Sequence, residues 1–162
     1  DYLKLRPLSY PQTDIFLVLF SVVNPTSLEN AQNLWIPEIK IQSPGTPFLL
    51  VGTNTDLRDE FSQHETEYRS KGWSPIPSYR GEMIKELVGA YAYVECSSLK
   101  QFHLKEVFET AIICVLRNTE TPKEAKNRIK AEKKAKKLAK KEEKRSKKKK
   151  IHIKFSFSIT FS

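Results

Sequence analysis

The stretch TPFLLVGTNTDL, residues Thr46–Leu57, joins a wholly apolar run to a polar loop. The run is Phe48–Val51, and Gly52 separates it from the loop that leads to Asp56. An uninterrupted apolar run of this length predicts a β-strand that is covered on both faces. In open α/β sheets, ligands bind at the carboxyl ends of such strands. The loop after Gly52 is therefore the first place to look for a functional site.

Asp56 is the candidate binding residue of this loop. A carboxylate has two acceptor oxygens and no donor, so it suits a partner that presents two adjacent N–H groups. The edge of guanine presents such a pair, its ring N–H and its exocyclic amine, whereas adenine does not. A site built for these hydrogens rejects the wrong base by roughly several orders of magnitude, because its carboxylate is left unpaired. The alternative is that Asn54 and Asp56 only form a local turn, as these residue types commonly do after a strand.

Two further apolar segments predict strands, and helical patterns alternate with them. The strand segments are residues 15–20 (IFLVLF) and 92–96 (AYVEC), and the helical segments are residues 26–41, about 80–89 and 104–116. Alternation of strands and helices predicts parallel pairing with right-handed crossovers. We therefore expect an α/β fold that forms half of a doubly wound parallel sheet with flanking helices.

The first and last helical segments carry the clearest local signals. Thr26 and Glu29 have capping-box spacing, which predicts the start of the first helix, and Pro37 should kink or shorten it. The predicted buried face of this helix consists of Leu28, Ala31, Leu34 and Trp35. The predicted buried face of the last helix consists of Leu104, Val107, Phe108, Ala111, Ile112, Val115 and Leu116.

Three spaced motifs resemble one known family. They are LRPLSYPQTD at residues 5–14, the Asp56 loop with Leu57-Arg58-Asp59 behind it, and YVECSS at residues 93–98. Together they resemble Rho-family small GTPases of the Ras superfamily, over about residues 1–117. The resemblance implies the C-terminal half of a P-loop GTPase domain, which would occupy residues 1–120. It also implies GTP or GDP as ligand and Mg²⁺ as cofactor of the complete protein.

The resemblance assigns a guanine-binding role to six residues: Thr53, Asn54, Asp56, Ser97, Ser98 and Leu99. Asp56 would set the base preference, Ser97 would orient Asp56, and the backbone N–H of Ser98 would reach the guanine carbonyl. Asn54 departs from the pattern, because lysine is common there and its longer side chain covers the base. We therefore expect weakened nucleotide affinity. The alternative for the serines is an ordinary turn.

The N-terminal segment resembles the end of the second switch region. By this resemblance Tyr2, Leu5, Arg6 and Leu8 would face exchange factors, GTPase-activating proteins, dissociation inhibitors and effectors. The alternative is a surface helix end closed by prolines. Residues 60–72 resemble the extra helix that Rho proteins insert.

Several parts of a GTPase are not found in this sequence. It contains no G-x-x-x-x-G-K-[ST], no switch threonine and no Asp-x-x-Gly-Gln, and its one methionine is Met83. Phosphoryl transfer in P-loop GTPases needs these parts. We therefore expect a fragment with a base pocket but without catalytic or metal-binding residues. The strand at residues 15–20 should then form an apolar sheet edge that favours aggregation.

The net charge of +9 divides unevenly along the chain. Residues 122–150 contain 16 Lys and Arg against 4 Glu, whereas residues 1–121 are mildly acidic. We assign residues 121–150 to a Lys-rich tail without a continuous apolar face, for which we expect a solvated helix or disorder. Its residues 123–150 would bind anionic membranes through charge. Nucleic acid is a less favoured partner, because the segment lacks aromatic residues for stacking.

The final residues, 151–162, alternate like a strand and have no assigned role. They contain no cysteine, so they carry no C-terminal prenylation signal. Cys96 and Cys114 lie in apolar segments, which favours reduced core thiols over a disulfide. We expect a cytoplasmic protein with a peripheral position at the inner face of the plasma membrane.

Two functional hypotheses remain. The first is a Rho-type GTPase fragment whose parent hydrolyses GTP as a signalling switch for cytoskeletal organisation. The second is a non-catalytic GTPase-like binding protein that uses its polybasic tail on acidic lipid or nucleic acid.

Overall fold

The computed structural model describes residues 5–159, with side chains for all of these except 122, 125 and 146–159. The chain divides into two compact units, Asp1–Asn118 and Thr119–Ser162. The first unit contains a 3₁₀ turn at Arg6–Ser9, β1 (Phe16–Ser21), α1 (Pro25–Asn30), a π-helical turn at Ala31–Trp35, α2 (Ile36–Gln42), β2 (Phe48–Thr53), α3 (Thr55–Asp59), a 3₁₀ turn at Phe61–Gln63, α4 (Glu65–Ser70), α5 (Ser78–Val88), β3 (Ala92–Glu95) and α6 (Leu104–Thr119). The helix α7 (Pro122–Ile159) forms the second unit.

The three strands form one parallel sheet in the order β1-β2-β3. Ser21 lies opposite Thr53 at one end of the first pairing, and Gly52 lies opposite Glu95 in the second. All three strands therefore end at the same edge, which brings the loops after Thr53 and Glu95 next to each other. The predicted α/β fold with a parallel sheet and flanking helices is confirmed.

The central strand β2 separates two apolar cores. Leu50 packs with α1, α2 and α5 on one face, while Leu49 and Val51 pack with α6 on the other. Phe48–Val51 is almost fully buried, as the apolar run predicts. Burial on both faces fixes the position of the loop that follows the strand.

The strand β1 lies at the edge of the sheet and pairs with β2 alone among residues 5–159. Val18 and Phe20 are buried under the helices, whereas Leu19 on the opposite face is half exposed. The strand is therefore the apolar edge that the sequence predicts.

The first helical segment differs from its predicted form. Asn24 caps it, accepting a hydrogen bond from the backbone N–H of Ser27, and Pro25 occupies the first turn, so the predicted capping box at Thr26 is wrong. The helix continues past Pro37 through the π-helical turn, in which Ile36 N–H reaches the carbonyl of Ala31. Such a wider turn accommodates a proline, which lacks an N–H for the regular ladder.

The buried faces of two helices are narrower than predicted. In the π-helical turn Leu34 is exposed, and in α6 the exposed residues are Phe108, Ile112 and Leu116. The buried face of α6 consists of Val107, Ala111 and Cys114. The three-stranded sheet is therefore covered by one side of this helix, and its second apolar side faces outward.

One long helix, α7, makes up the second unit from Pro122 to Ile159. The helix α7 ends at Ile159, so residues 151–159 are helical although their alternation is typical of a strand, and residues 160–162 lie outside the described residues. Among its described side chains, Arg128 pairs with Glu120 and Glu132, and the two large apolar residues Ile129 and Leu138 are about half exposed. This describes a solvated helix without a buried face, one of the two predicted states.

Candidate functional site

The loop after β2 begins with a left-handed residue. Asn54 has φ 64° and ψ 39°, and α3 begins directly after it. Asparagine tolerates this conformation better than most residues with a side chain. Asn54 is exposed, and its side-chain oxygen accepts a hydrogen bond from the Thr53 hydroxyl at 3.0 Å. This turn brings Asp56 into the first turn of α3.

The loop after β3 lies against the same turn. Cys96 N–H donates to the Gly52 carbonyl at 2.8 Å, and Thr55 N–H donates to the Cys96 carbonyl at 3.4 Å. Two reciprocal backbone hydrogen bonds between Ser97 and Phe102, each 3.0 Å, close the loop. The position of Ser97 is therefore fixed by backbone contacts on both sides.

Asp56 and Ser97 meet at the centre of this arrangement. The Ser97 hydroxyl donates to Asp56 Oδ1 at 2.5 Å, and the backbone N–H of Lys100 donates to the same hydroxyl at 3.1 Å. Asp56 is 4% exposed and Ser97 is 1% exposed. The second carboxylate oxygen of Asp56 has no side-chain donor among the described residues. The geometry thus holds a buried carboxylate in one orientation and leaves acceptor capacity for a ligand.

Thr55 gives an independent sign of an incomplete site. Its hydroxyl is buried and has no hydrogen-bond partner within residues 5–159. Such groups are uncommon in native structures, since an unpaired buried hydroxyl costs about 1–3 kcal/mol.

A cleft of about 200 Å³ opens at this point, lined by Thr55, Asp56, Asp59, Ser97, Lys100 and Phe102. The cleft is smaller than typical pockets for drug-sized ligands, which measure about 300–1,000 Å³. It therefore suits one ring system rather than a whole nucleotide. Ser98 and Leu99 are exposed beside it in the turn after Ser97.

Lys100 and Phe102 were not predicted as site residues. The ammonium of Lys100 lies 2.6 Å from Glu60 and so links the two loops at the surface. Phe102 stacks on His103 with 3.8 Å between the ring centroids. In the sequence, these two site residues are indicated only by their position shortly after the serine turn, and this signal is weak. Gln101 and His103 have positive φ, as Asn54 does, so strained backbone flanks the site on both loops.

Arg58 in α3 and Glu95 in β3 form a further connection beside the site, which the sequence did not reveal. The Arg58 guanidinium binds both oxygens of Glu95, at 2.8 and 2.5 Å. Burial raises the pKa of the Glu95 carboxyl, but hydrogen bonds from Arg58, Tyr93 and Ser78 outweigh burial and leave this pKa lowered. Burial, together with the Glu95 hydrogen bond, raises the pKa of the Tyr93 phenol. The carboxylate is thus held in its charged form by three donors.

The N-terminal segment is attached to α2 by a similar cluster. Arg6 donates to both oxygens of Glu38, at 2.9 and 2.8 Å, and Tyr10 donates its hydroxyl to the same carboxylate. The hydrogen bond from Arg6 is the main cause of the lowered pKa of Glu38. Leu5 and Leu8 are 56% and 74% exposed, so the segment presents apolar side chains to solvent. Tyr2 lies outside the described residues.

The residues that the structure describes also bear on metal ligation, membrane crossing and cysteine chemistry. Among the side chains that the structure describes, no three His, Cys, Asp or Glu residues cluster as metal ligands would. No helix searched there has the length and apolar character for a bilayer crossing. Cys96 and Cys114 are free thiols, and burial raises the pKa of each.

The fold agrees with a family comparison. A sequence model of the Ras family matches residues 1–117, which is most of the chain and includes all three strands, both loops and the N-terminal segment. The parallel three-stranded sheet with flanking helices fits a partial domain of this family. The chain belongs to the Ras family of small GTPases.

Proposed function

We propose that this chain supplies the guanine-recognition part of a Rho-type small GTPase, which binds GTP and GDP and acts as a signalling switch in cytoskeletal organisation. One observation carries the proposal: a buried carboxylate, Asp56, is held by the Ser97 hydroxyl at the shared edge of two parallel strands. Ligands of open α/β sheets bind at this edge.

The chemistry of Asp56 favours guanine over adenine. The ring N–H and exocyclic amine of guanine point in the same direction, and a carboxylate accepts both. Ser97 orients the carboxylate through Oδ1, which limits the rotation that would otherwise weaken both bonds. Because Asp56 is buried, a base without these donors leaves it unpaired at a cost of several kcal/mol, on the order of that for other buried charges.

The segment after α3 supports the Rho-type assignment. It forms a 3₁₀ turn and the short helix α4 and is held by packed aromatic rings, with Tyr68 5.4 Å from both Phe61 and Trp73. A helical insertion at this position is the feature by which Rho proteins differ from Ras, Rab and Arf proteins, according to the resemblance described above.

Hydrolysis of GTP needs groups that we do not assign to this chain. A phosphate loop, a magnesium ligand and a residue that orients water are required. The residues described here bind and orient the base, and Asn54 gives the base less cover than the longer lysine does. We therefore place the base preference, and not the phosphoryl transfer, in this chain.

The exposed Leu5 and Leu8 suit the regulatory partners of the family. Arg6 is tied to Glu38, so the turn carrying these leucines is anchored on α2. An anchored turn with two exposed apolar side chains is a docking surface of low entropic cost. We assign it to exchange factors, GTPase-activating proteins, dissociation inhibitors and effectors, and we include Tyr2 by sequence position alone.

The second unit suits an anionic surface. Its described lysines and Arg145 are exposed on a helix without a buried face, while Arg128 is partly buried in ion pairs. Each such cation adds about 1 kcal/mol of attraction near an anionic leaflet. We propose peripheral attachment to the inner face of the plasma membrane through this helix, in a cytoplasmic protein. Nucleic acid binding by a non-catalytic GTPase-like protein is the second candidate function, because lysine-rich segments also bind phosphate backbones.

Co-sedimentation separates these two ligands of the helix. The chain is mixed with phosphatidylserine vesicles, with phosphatidylcholine vesicles, and with a DNA duplex, each over a salt series. The membrane proposal predicts binding to phosphatidylserine vesicles that salt removes, and no binding to phosphatidylcholine. Binding to the duplex alone would support the second candidate, and retention on vesicles at high salt would contradict a purely electrostatic attachment.

The guanine assignment is tested by competition on the full-length gene product. GDP and ADP compete against a fluorescent guanine nucleotide, for the unmodified protein and for Asp56→Ala. The proposal predicts strong preference for GDP in the unmodified protein and its loss in the variant. Equal competition by ADP would overturn the proposal.

A further inference from the structure

The ion pair of Arg58 with Glu95 connects α3 to the end of β3. Nη1 and Nη2 of Arg58 each donate to one oxygen of the Glu95 carboxylate. The pair is partly buried, with 21% of the Arg58 side chain and 16% of the Glu95 side chain exposed. Such bidentate pairs have fixed geometry, because the planar fork of arginine matches the carboxylate. This pair is therefore a rigid connection rather than a surface contact.

The pair joins the two loops of the site at matching positions. Arg58 follows Asp56 by two residues in α3, and Glu95 precedes Ser97 by two residues at the end of β3. The backbone hydrogen bond of Thr55 with Cys96 and the ion pair of Lys100 with Glu60 also connect these segments. The pair of Arg58 with Glu95 adds a bidentate contact between the later part of α3 and the end of β3, which further limits rotation of α3 about its attachment to β2.

Neighbouring residues make further hydrogen bonds to both members of the pair. Glu95 also accepts hydrogen bonds from the Tyr93 hydroxyl at 2.6 Å and the Ser78 hydroxyl at 2.9 Å. Arg58 donates a further hydrogen bond to the Ile76 carbonyl at 3.1 Å. The start of α5 and the preceding loop therefore support the orientation of Arg58, and through it that of α3.

We propose that Arg58 and Glu95 are positioning residues that aim both oxygens of Asp56 at the two N–H groups of guanine. This inference rests on the proposed function, since it assumes that Asp56 binds the base. It adds a specific consequence. Loss of the pair should weaken recognition of the exocyclic amine more than recognition of the ring N–H, because the second contact needs the correct tilt of the carboxylate.

The experiment compares GDP, IDP and ADP as ligands of the full-length gene product. IDP has the ring N–H of guanine but lacks the exocyclic amine, and all three share the diphosphate. The variants are Glu95→Gln, which keeps the shape but removes the charge, and Arg58→Lys, which keeps the charge but removes the fork. Glu38→Gln is the matched control, because Glu38 binds an arginine and a tyrosine in the same way, in the cluster that anchors the N-terminal segment.

Glu95→Gln and Arg58→Lys should weaken GDP binding about tenfold and IDP binding about threefold, as expected for loss of one charge-assisted hydrogen bond. The preference for GDP over IDP then falls by about threefold in both variants, and Glu38→Gln leaves it unchanged. Equal weakening of GDP and IDP, or no change in either, would overturn the positioning role. Thermal unfolding of each variant shows whether it is folded. If Glu95→Gln does not fold, the ligand affinities of Arg58→Lys decide whether the pair has the positioning role.

Failure of this inference is distinct from failure of the proposed function. If the unmodified protein binds ADP as tightly as GDP, the guanine assignment itself is wrong. If the unmodified protein prefers GDP and the two variants keep the full preference over IDP, only the positioning role is wrong.

Discussion

The Ser97 hydroxyl donates to Asp56 Oδ1 at 2.5 Å, across a sequence separation of 41 residues. This hydrogen bond joins the ends of two neighbouring strands and fixes the carboxylate to which we assign the base preference. Both residues are almost fully buried. Loss of this hydrogen bond should therefore lower both the free energy of unfolding and the affinity for the ligand.

Ser97→Ala tests this contact directly. Removing the hydroxyl leaves Asp56 Oδ1 buried without its donor, which should cost about 1–3 kcal/mol of unfolding free energy. Nucleotide affinity should fall about tenfold, because the carboxylate is free to rotate. Urea unfolding and GDP titration of the full-length gene product measure the two effects. Ser70→Ala is the control, since the Ser70 hydroxyl is exposed and bonds only within its own helix. An unchanged GDP affinity in Ser97→Ala would contradict the orienting role.

Asn54→Lys tests the departure from the family pattern. The longer side chain should cover the base and slow GDP release, while the left-handed backbone at this position should cost stability of about 1–2 kcal/mol. The rate of GDP release from the full-length gene product is the measurement. Release that stays equal or becomes faster would contradict the expectation that Asn54 weakens nucleotide binding.

Gly81→Ala tests the packing of α5 on the sheet. A Cβ atom at this position would lie 2.1 Å from Cζ of Tyr93, which is closer than any real contact. Alanine favours helices by about 1 kcal/mol over glycine, so a destabilised variant shows that the clash dominates. We expect a loss of about 1–3 kcal/mol in urea unfolding. The loss should shrink in a Tyr93→Leu background, and an equal loss there would contradict the assignment to Tyr93.

The lowered pKa of Glu95 predicts a pH-dependent contribution to stability. A carboxyl whose pKa is lower in the folded state stabilises the fold above its ordinary pKa, 4.5, and this contribution is lost as the pH falls through the folded-state value. The unmodified protein should therefore be more stable than Glu95→Gln at pH 7, and the difference should decrease below pH 4.5. Urea unfolding between pH 7 and about pH 3 measures the difference. A difference that stays constant over this range would rule out a charge-dependent contribution from Glu95.

The sequence predicted those features that depend on local pattern. The apolar run Phe48–Val51 indicated a strand buried on both faces, and Asp56 followed as the polar residue at its carboxyl end. The alternation of strands and helices was sufficient for the parallel sheet. A strand that is buried on both faces consists of consecutive apolar residues, so a short stretch of sequence is enough to recognise it.

Other features depend on contacts between distant residues. Arg58 and Glu95 are separated by 37 residues, and nothing near either one indicates the pairing. Asn24 and Thr26 are both residue types that cap helices well. Only Pro25, which favours the first helical position, indicates that Asn24 is the cap. The outward side of α6 was assigned to the core because its apolar pattern continues around the helix. Periodicity identifies apolar sides but does not show what covers each of them.

The base preference of the full-length gene product tests the central claim most directly. The measurement is the ratio of ADP to GDP dissociation constants, for the unmodified protein and for Asp56→Asn with XDP as a further ligand. Xanthine carries a carbonyl where guanine has its exocyclic amine, so an amide at this position should lose GDP and gain XDP. We expect a ratio of at least about a thousandfold in the unmodified protein and this exchange of ligands in the variant. A ratio near one, or a variant that keeps its GDP affinity, would contradict the assignment of Asp56.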